Sequence, residues 1–157
     1  MSLALTAPIA WTVSETKPRE IAAPVPTMAE ASINRQWRDR QTELLVFGKF
    51  RDDWDGFGAA APDVRFIDAA LSVLQQLRQS DPSDPPARVA LAPDGLVAIE
   101  WQGGGQFVSA EIASVVDDGA RRTVGIEWMR AMEGQPGRFQ SQIIKIDLDR
   151  RVSSPAG

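Results

Sequence analysis

The chain turns at Asp52-Asp53-Trp54-Asp55-Gly56-Phe57-Gly58, where acidic, aromatic and glycine residues lie closer together than anywhere else in the sequence. Segments with helical periodicity precede and follow this stretch. The two glycines favour backbone angles that other residues adopt at a cost, and aspartates in turns typically accept hydrogen bonds from nearby backbone amides. Trp54 and Phe57 are large apolar groups that we expect to anchor the turn to a core. We therefore predict a structural corner of fixed conformation, built on Trp54, Gly56, Phe57 and Gly58.

The same carboxylates permit an alternative, a divalent-cation site formed by Asp52, Asp53 and Asp55. An EF-hand loop has acidic residues at positions one, three and five, Gly at six and Glu at twelve. Placing Asp53 and Asp55 at positions three and five puts Arg51 at position one and Pro62 at position twelve. Both terminal ligands are then missing, so the stretch is not an EF-hand. A less regular calcium or magnesium site is the second interpretation.

Length and composition indicate one ordinary globular domain. The chain has 157 residues, 43% of them apolar and 24% charged, which is typical of soluble proteins with a single core. Its net charge of −4 and pI near 4.9 argue against nucleic-acid binding by general electrostatic attraction. No apolar run reaches the length of a membrane span, and the first residues do not form a convincing secretion signal. We expect a cytoplasmic protein without nucleic-acid or membrane partners.

Three residue types are missing, and their absence limits the chemistry. The sequence contains no Cys, His or Tyr. Disulfides, thiol nucleophiles, Cys/His zinc sites and imidazole proton transfer are therefore excluded. The remaining groups form no recognisable catalytic or cofactor-binding pattern, so we predict no catalytic residues and no cofactor. Whether the protein is an enzyme stays undecided, with the balance towards a non-catalytic role.

Two helices are predicted before the sheet. The first begins at a capping box, Thr27-Met28-Ala29-Glu30, and ends near residues 48–50. Its apolar stripe, interrupted at Arg40, consists of Ile33, Trp37, Leu44 and Phe47. The arginines of this helix are interpreted as a solvated surface, and nucleic-acid contact by Arg35, Arg38 and Arg40 is the weaker alternative.

The second helix follows the corner. Pro62 is expected in its first turn and Asp63 at its positive end. The helix stops by Ser80-Asp81-Pro82, and a proline-rich connector follows. Its predicted apolar stripe consists of Val64, Ile67, Leu71, Leu74 and Leu77.

After Ala87 the apolar period changes to two, which is typical of strands. Strands are predicted at 89–91, 96–101, 107–115, 123–129 and 139–148. Turns are predicted at Pro93-Asp94-Gly95, at Gly103-Gly104-Gly105 and at Asp117-Asp118-Gly119. The triple glycine is interpreted as a hairpin loop, because no helix follows it and the lysine of a phosphate-binding loop is missing.

Two pentapeptides are nearly identical: VAIEW at 97–101 and VGIEW at 124–128. In each, Val, Ile and Trp share one face of a strand and Glu lies on the other. The simplest interpretation is two strands that meet the same packing requirement, and duplication of a hairpin is an alternative. If the two strands were neighbours, Glu100 and Glu127 would approach each other, and paired carboxylates can serve acid–base chemistry.

The motifs Trp54-Asp55-Gly56-Phe57-Gly58-Ala59, Pro93-Asp94-Gly95 and Glu100-Trp101 occur in that order. This arrangement resembles a family of small bacterial proteins in which a WDGxGA corner precedes a helix, and a PDG turn and an EW-ending strand follow. The resemblance covers about residues 47–101. In that family proline follows the corner sooner, whereas Ala60 and Ala61 intervene here. The resemblance implies the same local fold and carries no activity.

These observations predict an α+β domain at residues 27–149, with two N-terminal helices packed on one face of a four- to five-stranded antiparallel sheet. Residues 1–26, rich in Ala, Pro and Thr, are predicted to be a disordered tail, and residues 150–157 a frayed one. The helix-covered sheet face is expected to carry Val97, Ile99, Trp101, Val124, Ile126 and Trp128.

The opposite face is predicted to be half polar and open. We therefore expect a non-catalytic protein-interaction module that acts through this open sheet face or a sheet edge, with self-association as its simplest form. The alternative is a carboxylate-dependent enzyme or divalent-cation-binding protein that uses the corner at Asp52, Asp53 and Asp55.

Overall fold

The structure is a computed structural model that describes residues 25–119, 121–135 and 139–149. Two helices come first, and five strands follow as a meander in the order β1-β2-β3-β4-β5, each antiparallel to its neighbours. The elements are α1 (Met28–Phe47), α2 (Val64–Ser80), β1 (Arg88–Leu91), β2 (Val97–Gly103), β3 (Gln106–Asp117), β4 (Arg121–Met132) and β5 (Phe139–Asp149). The predicted α+β fold is confirmed, and the sheet has five strands.

The predicted tails fall mostly outside the described residues. Of the N-terminal segment 1–26, the structure describes only the last two positions, and the segment 150–157 lies wholly outside. The boundaries of the predicted domain therefore stay predictions.

Helix α1 begins at the predicted capping box. The backbone N–H of Thr27 donates to Glu30 Oε2 at 2.7 Å, and the backbone N–H of Glu30 donates to Thr27 Oγ1 at 3.2 Å. The helix ends at Gly48, which caps it by donating to the carbonyl of Leu44. Trp37 and Leu44 are buried, so one stripe of the helix faces the core.

The break in that stripe at Arg40 has a structural cause. The Arg40 guanidinium donates to the carbonyl of Ala87, just before β1, and forms a 3.0 Å ion pair with Glu43. Arg40 is therefore used inside the fold, whereas Arg35 and Arg38 are exposed. Arg40 therefore differs in its contacts from Arg35 and Arg38, and nucleic-acid contact by this helix stays a prediction.

Helix α2 begins two residues later than expected, at Val64 instead of Pro62. Asp63 is the N-cap, and its carboxylate accepts a hydrogen bond from the backbone N–H of Arg65 at 2.9 Å, while Pro62 precedes the helix. The predicted apolar stripe is wrong at Val64, which is exposed. Because successive residues advance by about 100° around a helix, burial of Ala69 and Ala70 shifts the centre of the buried face away from Val64.

The core lies between the helices and one face of the sheet. Helix α2 packs over β2 and β3, and α1 packs over β1. Val97, Ile99, Val124 and Ile126 are fully buried there, and Trp101 and Trp128 pack against them. The predicted helix-covered face is confirmed. Strand β3 lies between the two similar pentapeptides, and Trp101 and Trp128 stack with ring centroids 5.8 Å apart.

The proline-rich connector between α2 and β1 is held by two indole groups. Trp37 Nε1 donates to the carbonyl of Pro82 at 2.9 Å, and Trp101 Nε1 donates to the carbonyl of Asp84 at 3.2 Å. One indole belongs to α1 and the other to β2. The connector is thus fixed to both layers of the domain, and it sets where β1 starts.

Candidate functional site

The carboxylates of the corner at residues 52–58 accept hydrogen bonds from backbone N–H groups. Asp55 Oδ1 accepts hydrogen bonds from the backbone N–H groups of Phe57 at 2.8 Å and Ala59 at 3.1 Å. These two amides lower the pKa of the Asp55 carboxyl, because they stabilise its charged form. Asp55 is therefore a structural acceptor in this turn.

The two preceding aspartates serve the same purpose. Asp53 Oδ1 accepts a hydrogen bond from the backbone N–H of Gly58 at 2.8 Å, and Asp52 Oδ1 accepts one from Ala61 at 2.9 Å. Each carboxylate is thus directed to a different amide of the following loop. Within the described ranges, no group of three or more acidic residues is arranged to hold a metal ion. These contacts support the structural interpretation of the corner over the cation site.

Trp54 attaches the corner to the end of α1. Its ring stacks on Phe50 with centroids 5.3 Å apart, and its Nε1 donates to the carbonyl of Ala60 at 3.1 Å. The expectation that Phe57 also anchors the corner is wrong, because its side chain is 94% exposed. The corner uses the backbone amide of Phe57 rather than its ring, since the hydrogen bond to Asp55 fixes the local backbone.

The corner also contacts the turn between β1 and β2. The backbone N–H of Ala60 donates to the carbonyl of Pro93 at 3.0 Å. Gly95, in the same turn, has φ of +84°, and a Cβ added there would lie 3.4 Å from the carbonyl oxygen of Ala61. Ala60 and Ala61, which directly follow the WDGxGA motif, therefore pack against the PDG turn, and this contact links the segment between the helices to the first hairpin.

The sheet surface turned away from the helices is called the open face here. Strand alternation and register place its residues in rows across the sheet. One row contains Arg88, Glu100, Ser109, Met129 and Ser141, the next contains Ala90, Ala98, Glu111, Glu127 and Ile143, and a third contains Gln102, Phe107, Ala131 and Phe139. Among the described residues, no helix packs on this face.

Two carboxylates of the open face have different environments, and the first is Glu100. It lies opposite Arg88 on β1 and forms an ion pair with its guanidinium. Glu100 is only 8% exposed, and its other neighbour, Ser109, is 2% exposed. A shallow depression of about 450 Å³ beside this pair is lined in part by Phe107. The charge of Glu100 is therefore neutralised within the sheet.

The second is Glu127, whose predicted approach to Glu100 depends on β2 and β4 being neighbours, and the strand order does not meet that condition. Because β3 lies between β2 and β4, Glu127 is opposite Glu111 instead. Burial raises the pKa of the Glu111 carboxyl above its usual value, and repulsion from Glu127 and Asp94 adds to this shift. Like charges directly opposite each other on a sheet destabilise it, so electrostatic repulsion between Glu111 and Glu127 is unfavourable on the open face.

Sequence reasoning missed Glu111, although a signal was present. Ala110 and Ile112 are apolar neighbours that face the core, which forces Glu111 to the other face. The chain folds back between β3 and β4, which places Glu111 across from β4. Only the register of that hairpin, including the irregularity between Ile112 and Ser114, identifies Glu127 as its partner.

The apolar part of the open face is concentrated towards β5. Phe139 is 69% exposed and Ile143 is 66% exposed. Met129 on β4 is half-buried and lies diagonally between them, and Phe107 on β3 is half-buried and diagonal to Met129. Exposed apolar groups that are contiguous, rather than scattered, typically mark interaction surfaces.

Comparison with family models, with curated proteins and with solved structures finds no match for the chain. No helix among the described residues has the length and hydrophobicity to cross a membrane. The assignment of function therefore depends on the geometry of the corner and of the open face.

The backbone of the corner gives a first prediction. Gly56 has φ of +75°, and a Cβ added there meets nothing within 4 Å. Gly56→Ala should lower the free energy of unfolding by about 1–2 kcal/mol, the cost of the left-handed conformation for a residue with a Cβ. Gly103→Ala is the matched control, because its added Cβ also meets nothing but its φ is not left-handed. Urea unfolding followed by circular dichroism measures both, and equal effects would contradict the prediction.

The Glu111–Glu127 pair gives a second prediction. The pKa of Glu111 is raised in the folded state, so the folded protein binds the proton of this carboxyl group more tightly than the unfolded protein does. The contribution of Glu111 to the free energy of unfolding therefore falls as the pH rises through the unfolded pKa and then the folded pKa. Glu111→Gln should therefore raise the free energy of unfolding at neutral pH, by up to about 1 kcal/mol, with the gain disappearing in acid. Glu133→Gln, at an exposed loop position, should show no such pH-dependent gain. Urea titrations over a pH series test this, and a pH-independent effect of Glu111→Gln would refute it.

Proposed function

We propose that the protein is a non-catalytic, cytoplasmic protein-interaction module that acts through the open face and the adjoining β5 edge of its sheet. The observation that carries this proposal is the cluster of exposed apolar side chains, Phe139 and Ile143, next to Phe107 and Met129. When a partner covers exposed apolar area of this kind, the complex is stabilised by about 25 cal/mol per Å² removed from water.

The polar groups around this cluster support the same proposal. Glu100 is already paired with Arg88, and the corner carboxylates accept backbone hydrogen bonds, so neither set is directed at a substrate. Glu111 and Glu127 remain at the centre of the face as adjacent like charges. A partner that brings a cation to this position would relieve their repulsion. The net charge of −4 favours a protein partner over a nucleic acid.

The resemblance in the corner and the PDG turn is compatible with this proposal. The PDG turn contacts Ala60, directly after the WDGxGA motif, and neither motif is part of the rows that form the open face. We propose that the chain shares this local architecture with the small bacterial proteins it resembles, while its partner is determined by the sheet.

An affinity-capture experiment tests the proposal. Ile143→Lys removes an exposed apolar side chain from the cluster without touching the core, and it places a cation opposite Glu127, where the partner's cation would otherwise lie. For both reasons it should reduce the amount of bound partner at least about tenfold, as expected for a central contact residue. Val64→Lys is the matched control, because Val64 is an equally exposed aliphatic residue on α2. Capture from the source cell, combined with light scattering of the purified protein, gives the measurement. A strictly monomeric protein that captures nothing, or equal binding by both variants, contradicts the proposal.

The alternative function, a carboxylate-dependent enzyme or cation-binding protein built on Asp52, Asp53 and Asp55, has less support because each carboxylate is engaged by a backbone amide. We expect calorimetric titration with calcium, magnesium and manganese to show no binding heat and no change in melting temperature. Saturable heat that Asp53→Asn and Asp55→Asn remove would instead establish the cation site. Glu111→Gln is the control that separates the corner from the open-face pair.

A further inference from the structure

We propose that β5 pairs in antiparallel orientation with β5 of a second copy of this chain, about a twofold axis at Ile146, so that two sheets join into one of ten strands. This inference rests on the proposed interaction function and names a second copy of the chain as the partner at the β5 edge, while the apolar cluster of the open face stays free for another partner.

The first argument is the state of the β5 edge. Strand β5 has eleven residues, and its ladder partner is β4 alone. Among the described residues, no element lies along its outer side. Alternate backbone N–H and C=O groups along that side therefore lack ladder partners, and such an edge is a template for another strand.

The second argument is the contrast with the other edge. Strand β1 has only four residues, and the prolines at 85, 86 and 93 stand on either side of it. Short length and flanking proline are devices by which proteins prevent edge pairing. The segment 139–149 has no proline, and its pairing with β4 is regular throughout. In the part of the chain that the structure describes, one edge of the sheet is thus protected and the longer one is open.

The third argument is charge complementarity, which selects a register. A twofold axis perpendicular to the sheet pairs residues that lie on the same face, at equal distances on either side of the axis. With the axis at Ile146, Lys145 lies opposite the partner's Asp147, and the same pair forms again by symmetry. With the axis at Lys145 or Asp147, like charges face each other, which destabilises a sheet. Both side chains are exposed and available for pairing.

The helix-facing side fits the same register. Ile146 lies opposite its own equivalent, and Ile144 lies opposite the partner's Leu148. Ile144 and Ile146 are half-buried and pack against the core, and Leu148 is buried. Opposed aliphatic side chains on neighbouring strands are about 4.5–5.5 Å apart at Cβ, so the two cores would become continuous across the junction.

A charge-swap experiment with the full-length protein tests the register. Sedimentation analysis should show a dimer whose dissociation constant rises at least about tenfold in Lys145→Glu and in Asp147→Lys, because each variant opposes like charges. The double variant Lys145→Glu/Asp147→Lys should return to within about threefold of the original value, because the opposite charges are restored. Lys49→Glu changes the net charge by the same amount as Lys145→Glu, at an exposed position outside the sheet, and it should leave the dissociation constant unchanged.

Folding must be monitored in the same samples, because Asp147 also accepts a hydrogen bond from Thr123 Oγ1 at 2.8 Å.

A cysteine probe gives an independent readout, since the chain has no cysteine of its own. The double variant Lys145→Cys/Asp147→Cys should form a covalent dimer on oxidation, because the introduced thiols face each other across the axis. The single variant Lys145→Cys should not, and efficient cross-linking of it would place the axis at 145 and overturn the proposed register.

The outcomes separate this inference from the proposed function. A monomer that still captures another protein, in a manner lost in Ile143→Lys, overturns self-pairing and leaves the interaction function standing. A dimer that is insensitive to both charge reversals also overturns the β5 pairing. A monomer that captures nothing overturns both proposals.

Discussion

The backbone amides that follow the corner impose the constraint on which the domain depends. Residues 57–61 lie between two helices and outside any ladder, so their N–H groups need acceptors that regular structure does not provide. Asp52, Asp53 and Asp55 supply those acceptors within the same loop. The loop that results is rigid enough for Ala60 to bond the carbonyl of Pro93. Through this contact the direction of α2 and the position of the first hairpin are set together.

The two similar pentapeptides, VAIEW at 97–101 and VGIEW at 124–128, make different contacts because the residues around them differ. Both place Val, Ile and Trp in the core, and their tryptophans stack across β3. Their second residues differ for a steric reason, because a Cβ at Gly125 would lie 2.3 Å from Ser114 Oγ, whereas position 98 accepts alanine. Their tryptophans differ as well: Trp101 donates to Asp84, while Trp128 Nε1 has no acceptor among the described residues. Equivalent packing therefore does not imply equivalent chemistry.

Periodicity was sufficient to predict the elements, because burial of one face leaves a period of about 3.6 or 2 in the sequence. The capping box at Thr27, the helix end at Gly48 and the inward face of β2 and β4 follow from such local signals. Predictions that needed a partner or a local backbone angle were less successful. Hydrophobicity did not reveal that Phe57 is turned outward, and pairing of Glu127 with Glu111 depends on the strand order and on an irregularity in β3. The corner aspartates were identified from sequence, but their individual acceptor roles required coordinates.

An open edge is not by itself costly to a folded protein, because water satisfies the outward amides of β5 almost as well as another strand would. The problem that such an edge creates is specificity, since main-chain hydrogen bonds do not distinguish one strand or register from another. In the proposed dimer, Lys145 and Asp147, one on each side of Ile146, provide two charges that distinguish one register from another. Within residues 139–149, an axis through Ile146 is the only one that places Lys145 and Asp147 opposite charges of the other sign without any contact between like charges. An axis one residue to either side places like charges opposite each other. The open face adds a second restriction, because Glu111 and Glu127 disfavour a strand or loop that brings further negative charge. In the proposed dimer, main-chain hydrogen bonds along the β5 edge would supply affinity, and the charges of Lys145 and Asp147 would select the register.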